Sequence, residues 1–328
     1  MMYLVNNTMD HTQFFRETLT NLGFDVHGVW NSFVPPYNNQ TGWTVRLPDI
    51  DFRPNTLLLM HFQDFVTNHE GKILELEQVE QKYQQHANQV LVVHWPHNLQ
   101  HHYHGAINLV EFDVHEYVIL RNLRDRWPEW QHMLTMPKTI AWQCLNGRTC
   151  PHRFQVKEIL QTWGHGTLSY RGEVPLAKWD YDTYRGTENE DNFMRLLDVY
   201  GSCAVNIVTE TQYDVAPGLI TEKTFMALLA EQIPIIIGYP GIVQDCVELG
   251  FDMFTDLVDV SYDHAPNDQR IQQALELNQD LIMGRIDLAP YRDRLRAQRE
   301  FLLDDYPNVM ELRFIRDCKL LAKKSNLR

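Results

Sequence analysis

The sequence has no long apolar run, few cysteines and no excess of basic residues, and each absence excludes a class of protein. No stretch of about 18 apolar residues occurs, so no membrane-spanning helix is predicted. The first residues lack the basic start and long apolar core of a secretory signal peptide, and we expect a cytoplasmic location. The five cysteines are dispersed and form no Cys-x-x-Cys pair, so we expect reduced thiols.

The acidic balance argues against one class of partner. The net charge is −14 at pH 7, from 29 Lys and Arg against 43 Asp and Glu. Surfaces that bind DNA or RNA are usually basic, because they neutralise phosphates. We therefore do not expect nucleic acid as the main partner. A few local basic side chains still suffice to bind one small nucleotide.

Short apolar runs separated by helical segments predict an α/β protein with parallel sheets. Runs of this kind, bounded by turn residues, are typical of strands that are buried on both faces. The length of 328 residues suits two domains, and we place the boundary between them within Met133–Lys138. The predicted strands are Tyr3–Asn6, Phe24–Trp30, Thr56–Phe62, Gln89–His94, Thr139–Leu145, Ala204–Val208 and Ile233–Ile237.

Other segments are assigned from their periodicity and breakers. Leu109–Arg126 is predicted to be a helix that ends before Trp127-Pro128, and Asn267–Met283 is predicted to be one helix. Gly164–Glu190 is interpreted as a loop. Short strands are expected at Phe251–Phe254 and Leu257–Val260. A local basic run is interpreted as a solvated helix face; it comprises Arg292, Arg294, Arg296 and Arg299.

The segment Ala216–Gly241 predicts a loop, a helix and a buried strand, and it carries unusual chemistry. Thr221 is the expected N-cap, and Glu222 and Lys223 occupy the first helical turn. A helix N-terminus attracts anions, and a lysine there adds a full positive charge where a diphosphate would sit. Glu222 would accept hydrogen bonds from sugar or ribose hydroxyls. The alternative is that Glu222 only complements the helix dipole and Lys223 is solvated.

Ligands of open α/β sheets bind outside the carboxyl ends of the strands. The candidate site residues follow such ends or open the next helix. Arginines there would clamp phosphate oxygens, although they are alternatively ordinary surface charges. The candidates are Asp64 and His94 in the first half, and Asn146, Arg148, Arg153 and Glu210 in the second.

Two features contain residue types that bind metal ions. The first is a group of histidines that matches no zinc spacing, so a polar cleft loop is favoured, from which one histidine would act as general base. The second is Asp180-x-Asp182, which is interpreted as a turn. The histidines are His94, His97, His101, His102 and His104.

The second half resembles the donor-binding region of the α1,3-fucosyltransferases. The motifs that carry the resemblance are Ile220–Phe225, Ala227–Ala230 and Pro234–Gly238, with Ile207–Thr211 similar to the family's preceding strand. The resemblance covers about residues 139–265. Within it, Leu219 and Thr211 replace the tyrosine and asparagine that are usual in the family.

A closer similarity is to uncharacterised glycosyltransferase-like proteins of phages and bacteria. It rests on three further segments. These are Leu145-Asn146-Gly147-Arg148, His152-Arg153, and the tail from Gly250-Phe251 to Ser261-Tyr262-Asp263.

These resemblances imply a GT-B architecture, in which two Rossmann-like domains face a central cleft. Residues 1–135 would hold the acceptor, residues 136–310 the donor, and residues 311–328 would form a C-terminal helix and tail. The reaction implied is transfer of a sugar from a nucleotide-diphosphate sugar, with a GDP-sugar favoured, to a glycan or other hydroxyl acceptor.

The same resemblance implies inverting transfer by a carboxylate base from the first half. Asp64 is the first candidate for that base and His94 the second. Arg153 and Lys223, with Arg148, would neutralise the leaving diphosphate, so neither a metal nor a cofactor is expected. Glu222 and Glu210 would bind hydroxyls of the ribose or sugar, and Asn146 and Thr221 complete the expected donor site.

Two alternatives stay open from the sequence. One is a non-catalytic relative that binds a nucleotide sugar or a glycan and lacks the base. The other is a phage-type DNA-base glycosyltransferase, for which a local basic groove would have to override the acidic average. A turnover assay separates the first alternative from an enzyme.

Overall fold

Parallel strands form the centre of both halves of the chain. The fold is that of a computed structural model. It describes residues 2–6, 19–21, 26–30, 49–53, 57–61, 74–94, 103–112, 114–146, 150–170, 196, 199–214 and 220–324. The chain divides into two units, of which one contains Met1–Tyr117 and Asn308–Arg328 and the other Val118–Pro307. The domain boundaries expected from the sequence stay a prediction.

Strands and helices are interspersed between residues 57 and 248, and the described elements after residue 241 are all helical. The strands are β1 (Met2–Asn6), β2 (Val26–Trp30), β3 (Leu57–His61), β4 (Val90–His94), β5 (Asn108–Glu111), β6 (Ile140–Asn146), β7 (Gly166–Tyr170), β8 (Cys203–Thr209) and β9 (Ile233–Ile237). The helices are α1 (Leu74–Lys82), α2 (Val114–Trp130), α3 (Pro151–Leu160), α4 (Glu222–Leu229), α5 (Ile242–Glu248), α6 (Asn267–Leu277), α7 (Gln279–Ile282), α8 (Arg292–Glu300) and α9 (Tyr306–Lys324). The α/β class with parallel sheets is therefore confirmed.

The N-terminal unit contains a five-stranded parallel sheet in the order β2-β1-β3-β4-β5. Successive residues of β3 and β4 point to opposite faces of the sheet, and both sets are buried. On one face, Leu58 and Met60 pack with Leu76 and Val79 of α1. Each fully buried apolar side chain of this kind contributes roughly 1.5–3 kcal/mol to folding.

The C-terminal unit contains a four-stranded parallel sheet in the order β7-β6-β8-β9. The chain leaves β6 to form β7 on one side, and it then returns across β6 to form β8 on the other side. The position between β6 and β8 is thus a topological switch point, which is where open α/β sheets bind their ligands. The first sheet follows the same order of connections, with its switch point between β1 and β3.

A network of buried amides crosses the second sheet. Gln232, which precedes β9, accepts at Oε1 from Gln143 Nε2 of β6 (3.1 Å) and from Asn206 Nδ2 of β8 (2.9 Å). The Gln232 Nε2 group donates to the carbonyl of Tyr200 (2.8 Å). Because buried amides are costly when unpaired, this network ties three neighbouring strands to one relative alignment.

Several local predictions were wrong. Asn108–Glu111 is a strand rather than the start of a helix, because its backbone pairs with β4. Helix α2 then continues through Pro128, which lies close enough to the helix end to disturb little of the hydrogen-bond ladder. Gly166–Tyr170, interpreted as loop, pairs with β6 as an edge strand.

Two further segments differ from expectation for identifiable reasons. Phe251–Phe254 and Leu257–Val260 are not strands. The Asp252 carboxylate instead accepts from the Phe254 backbone N–H (2.9 Å), and Phe254 has φ of 53°. The helix expected over Asn267–Met283 is two helices, because Asn278 between them leaves helical geometry.

The basic run in α8 is not a solvated face throughout. Arg294 binds Asp252 (2.7 Å) and Asp256 (2.8 Å), and Arg299 forms an ion pair with Glu231. Arg296 does remain largely exposed. Over the described part of the chain, no helix is both long and apolar enough to cross a membrane.

Candidate functional site

The ends of β6 and β8 are joined directly at the switch point of the second sheet. Asn146 is the last residue of β6 and Thr209 is the last residue of β8, and both are buried. The Thr209 hydroxyl donates a short hydrogen bond to Asn146 Oδ1. The Asn146 backbone N–H donates to the Ser169 hydroxyl of β7 at 3.1 Å. Asn146 therefore connects the carboxyl ends of three strands.

Helix α3 begins beside this junction and directs a guanidinium into it. Pro151 occupies the first helical turn, where a missing N–H costs nothing. Arg153 is 1% exposed, and its Nη2 donates to the Thr209 carbonyl at 3.0 Å. The predicted phosphate clamp is thus a buried cation beneath the strand ends, rather than a side chain extended into solvent.

His152, the neighbour of Arg153 in the first turn of α3, ties this helix to the residues that follow β8. Its Nε2 lies 2.9 Å from the carbonyl of Glu210, which requires a proton on that nitrogen. The ring stacks on Tyr213, with centroids 5.0 Å apart and an interplanar angle of 8°. Burial lowers the pKa of His152 below its usual 6.5, so the ring favours the neutral form.

The carboxylate of Glu210 follows β8 and is fully buried. Its Oε1 accepts from the Thr221 backbone N–H (3.0 Å) and from the Thr224 hydroxyl (2.7 Å). Its Oε2 accepts from the Thr221 hydroxyl (2.6 Å). The backbone N–H of Glu210 donates to Ile237 at the end of β9 (2.9 Å). Glu210 thus binds protein groups rather than presenting its oxygens at the surface.

Thr221 is the N-cap of α4, as the sequence predicts. Its φ and ψ of −107° and 174° are extended, and its hydroxyl faces the first turn. The Lys223 ammonium donates to Thr221 Oγ1 (3.1 Å) and to Glu222 Oε1 (2.9 Å). The side chains of Lys223 and Glu222 are 23% and 36% exposed, so this pair is the accessible part of the site.

The structure brings most of the predicted donor residues of the second half together at one sheet edge. Asn146, Arg153, Glu210 and Thr221 are linked through the contacts above, and Glu222 and Lys223 adjoin them. Arg148 and Asp64 lie outside the described residues. For His94 the structure describes the backbone, at the carboxyl end of β4 in the other unit.

Three contributors to this edge were missed by sequence reasoning. Thr224 carries a weak signal, since the third position after an N-cap often holds a capping side chain. Tyr213 and Arg270 carry none. The guanidinium of Arg270 is buried and donates to the carbonyls of Tyr213 (3.0 Å) and Gly238 (2.7 Å), which ties the ends of β8 and β9 to α6.

Within the described ranges, no three His, Cys, Asp or Glu side chains converge in a way that would hold a metal ion. Of the clustered histidines, His104 is described and exposed, whereas His97, His101 and His102 lie outside the described residues, as do Asp180 and Asp182.

Comparison with known proteins gives a distant likeness among solved structures. No protein-family profile and no curated protein matches the chain. Among solved structures, the chain is similar to the crystal structure of an α1,3-fucosyltransferase, with 11% sequence identity and a TM-score of 0.41. The likeness covers 93% of this chain and 89% of that chain. At this level of similarity, no residue role passes from that protein to this one.

Proposed function

We propose that the protein is a glycosyltransferase that takes a sugar from a nucleotide-diphosphate sugar and transfers it to a glycan or other hydroxyl acceptor. The observation that carries the proposal is the position of Lys223. Its partly exposed side chain lies in the first turn of α4, at the carboxyl edge of the second sheet. Anionic groups bind at such helix starts.

The charge and hydrogen-bonding capacity of this edge suit a diphosphate. An ammonium has three N–H donors, and Thr221 and Glu222 accept from two of them. The third is directed to a phosphate oxygen in our proposal. Arg153, in the first turn of α3, adds a second positive charge. Because this charge is buried, water screens it only weakly. Together these cations would stabilise the diphosphate as it leaves, without a metal ion.

Glu222 is assigned to the sugar or ribose hydroxyls. Its side chain is more exposed than that of Lys223, to which it is paired, and a carboxylate has lone pairs for further hydrogen bonds. Among the donors, a GDP-sugar is favoured because of the motif resemblance around Ile220–Phe225. The same resemblance assigns the acceptor and the catalytic base to the first half. Asp64 is the first candidate for that base and His94 is the second. The proposal includes that this protein is related to the glycosyltransferase-like proteins of phages and bacteria.

A thermal-shift panel of nucleoside diphosphates tests donor binding. A nucleotide at about 100 times its dissociation constant should stabilise the protein by about 2.7 kcal/mol. The largest shift is expected with GDP. If no nucleoside diphosphate raises the melting temperature, the proposal is wrong.

A turnover assay then separates an enzyme from a binding protein. The nucleotide that stabilises best is supplied as its sugar conjugates, and release of free nucleoside diphosphate is measured with and without glycan acceptors. Acceptor-dependent release supports a transferase. Tight nucleotide binding without release would instead support the non-catalytic relative.

A further inference from the structure

The buried Glu210 carboxylate determines the direction of one hydroxyl hydrogen in the proposed donor site. Glu210 has no exposed surface, and its Oε2 lies 2.6 Å from Thr221 Oγ1. An ionised carboxylate only accepts hydrogen bonds, whereas a hydroxyl has one hydrogen to donate. The Thr221 hydrogen must therefore point to Glu210.

This orientation turns the remaining lone pairs of Thr221 Oγ1 towards α4. They face the Lys223 ammonium at 3.1 Å and, in a longer contact, the Lys223 backbone N–H at 3.5 Å. Both of these groups are donors. If the hydroxyl hydrogen pointed to Lys223 instead, two donors would oppose each other.

We propose that Glu210 is a positioning residue that keeps Thr221 as an acceptor and thereby holds the Lys223 ammonium at the start of α4. In this assignment Glu210 does not contact the nucleotide sugar. The positioning role replaces the binding of sugar or ribose hydroxyls that was expected of Glu210 from the sequence. The proposal deepens the proposed function and rests on it where nucleotide binding is concerned.

Glu210→Gln is the informative substitution, because it changes the hydrogen-bond direction with little change in shape. The new amide group has to face either the Thr221 hydroxyl or the Thr221 backbone N–H. A backbone N–H cannot accept a hydrogen bond, but a hydroxyl can. The amide therefore donates to Thr221 Oγ1, and the hydroxyl hydrogen turns towards Lys223.

The first test needs no nucleotide. Lys223 is labelled with an amine-reactive reagent, and its rate is measured by mass spectrometry relative to Lys82, which pairs with Asp49 in the other unit. Glu210→Gln should raise the relative rate several-fold, because the ammonium loses Thr221 Oγ1 as an acceptor and keeps only Glu222. Thr221→Val, which removes the hydroxyl, should do the same. An unchanged rate in Glu210→Gln would overturn the positioning role.

The second test measures GDP affinity by calorimetry in Glu210→Gln, Lys223→Met and the double variant. Loss of a hydrogen bond to a charged group corresponds to about a tenfold loss of affinity, which we expect for Glu210→Gln alone. In the Lys223→Met background the same substitution should not change GDP affinity, although it should lower the melting temperature as before. A purely structural Glu210 would weaken GDP binding equally in both backgrounds.

The two tests fail separately. Faster labelling of Lys223 in Glu210→Gln, together with no GDP binding by the wild-type protein, would support the positioning role and contradict the proposed function. GDP binding with an unchanged labelling rate would support the proposed function and overturn the positioning role.

Discussion

Gly238, which follows β9, packs closely against the side chain of Glu210. A Cβ on Gly238 would lie 3.2 Å from Glu210 Cβ and 2.7 Å from Ile242 Cδ1. The Gly238 carbonyl also accepts from the buried Arg270 guanidinium at 2.7 Å, so the backbone there has little freedom to retreat. The close packing of Gly238 therefore helps to fix the position of Glu210.

Gly238→Ala should reduce both stability and nucleotide binding. Overpacking of this kind usually costs about 1–3 kcal/mol of folding free energy, and the displaced Glu210 would disturb Thr221. Denaturant unfolding and GDP calorimetry measure the two effects. The matched control is Gly164→Ala, because a Cβ there meets no atom within 4 Å. Equal stability of the two variants would contradict the prediction.

Lys223→Ala should weaken nucleotide binding and leave folding nearly unchanged. The expected loss is on the order of 1.5–3 kcal/mol of donor binding, as for a hydrogen bond to a charged group. The side chain is partly exposed and its ion pair with Glu222 contributes little to folding. Lys82→Ala, which removes a partly exposed ion pair in the other unit, is the control and should bind nucleotide normally. Undiminished donor affinity in Lys223→Ala would remove the basis of the proposed function.

His152 should make stability fall as the pH is lowered. Its pKa in the folded protein is below 6.5, chiefly because of burial, while in the unfolded chain it is near 6.5. Between these values the unfolded chain binds a proton that the folded protein does not. The contribution of His152 is therefore complete above 6.5 and is lost as the pH falls towards the lowered pKa.

His152→Phe tests this assignment, because phenylalanine keeps a ring against Tyr213 and cannot titrate. The variant should be less stable at about pH 8, since the bond to the Glu210 carbonyl is lost. The difference in unfolding free energy between wild type and variant should narrow by about pH 5. A difference that does not vary with pH would show that the ring does not titrate as argued.

Transferase activity should survive EDTA. We assign the charge of the leaving group to Lys223 and Arg153, whose positive charges need no metal ion to act. Turnover is compared before and after chelation, and again after Mg²⁺ or Mn²⁺ is added. Loss of activity that either ion restores would reverse the assignment, and it would direct attention to Asp180, Asp182 and the histidine cluster.

The buried strands were predictable because their composition determines their environment. Ile233–Ile237 is found where the sequence predicts it, since an apolar β-branched run between a polar pair and a glycine suits a strand covered on both faces. The edge strands β5 and β7 were not predictable, whereas the strands at the opposite edges, β2 and β9, were. The tetrapeptide Asn108–Glu111 has no strand signature of its own and becomes a strand because β4 presents it with a free edge.

For the candidate site, the location of the residues was predictable from the sequence, but the orientation of their side chains was not. The general rule for open α/β sheets predicts that Asn146, Arg153 and Glu210 share an edge, and they do. The rule does not predict that Arg153 and Glu210 turn inwards, because this depends on partners distant in sequence. One is the Thr209 carbonyl, which binds Arg153, and another is Thr221, which binds Glu210.

The buried amide network that joins β6, β8 and the residue before β9 fixes the alignment of these strands, and with it the geometry of the proposed site. A slip of β9 by one residue would separate Gln232 from Gln143 and Asn206 and leave their amides unpaired in the core. The same slip would shift Gly238 relative to Glu210 by about 3.3 Å along the strand and so break their close contact. The position of Lys223 depends on how the carboxyl ends of the strands are aligned, and the buried amide hydrogen bonds fix that alignment.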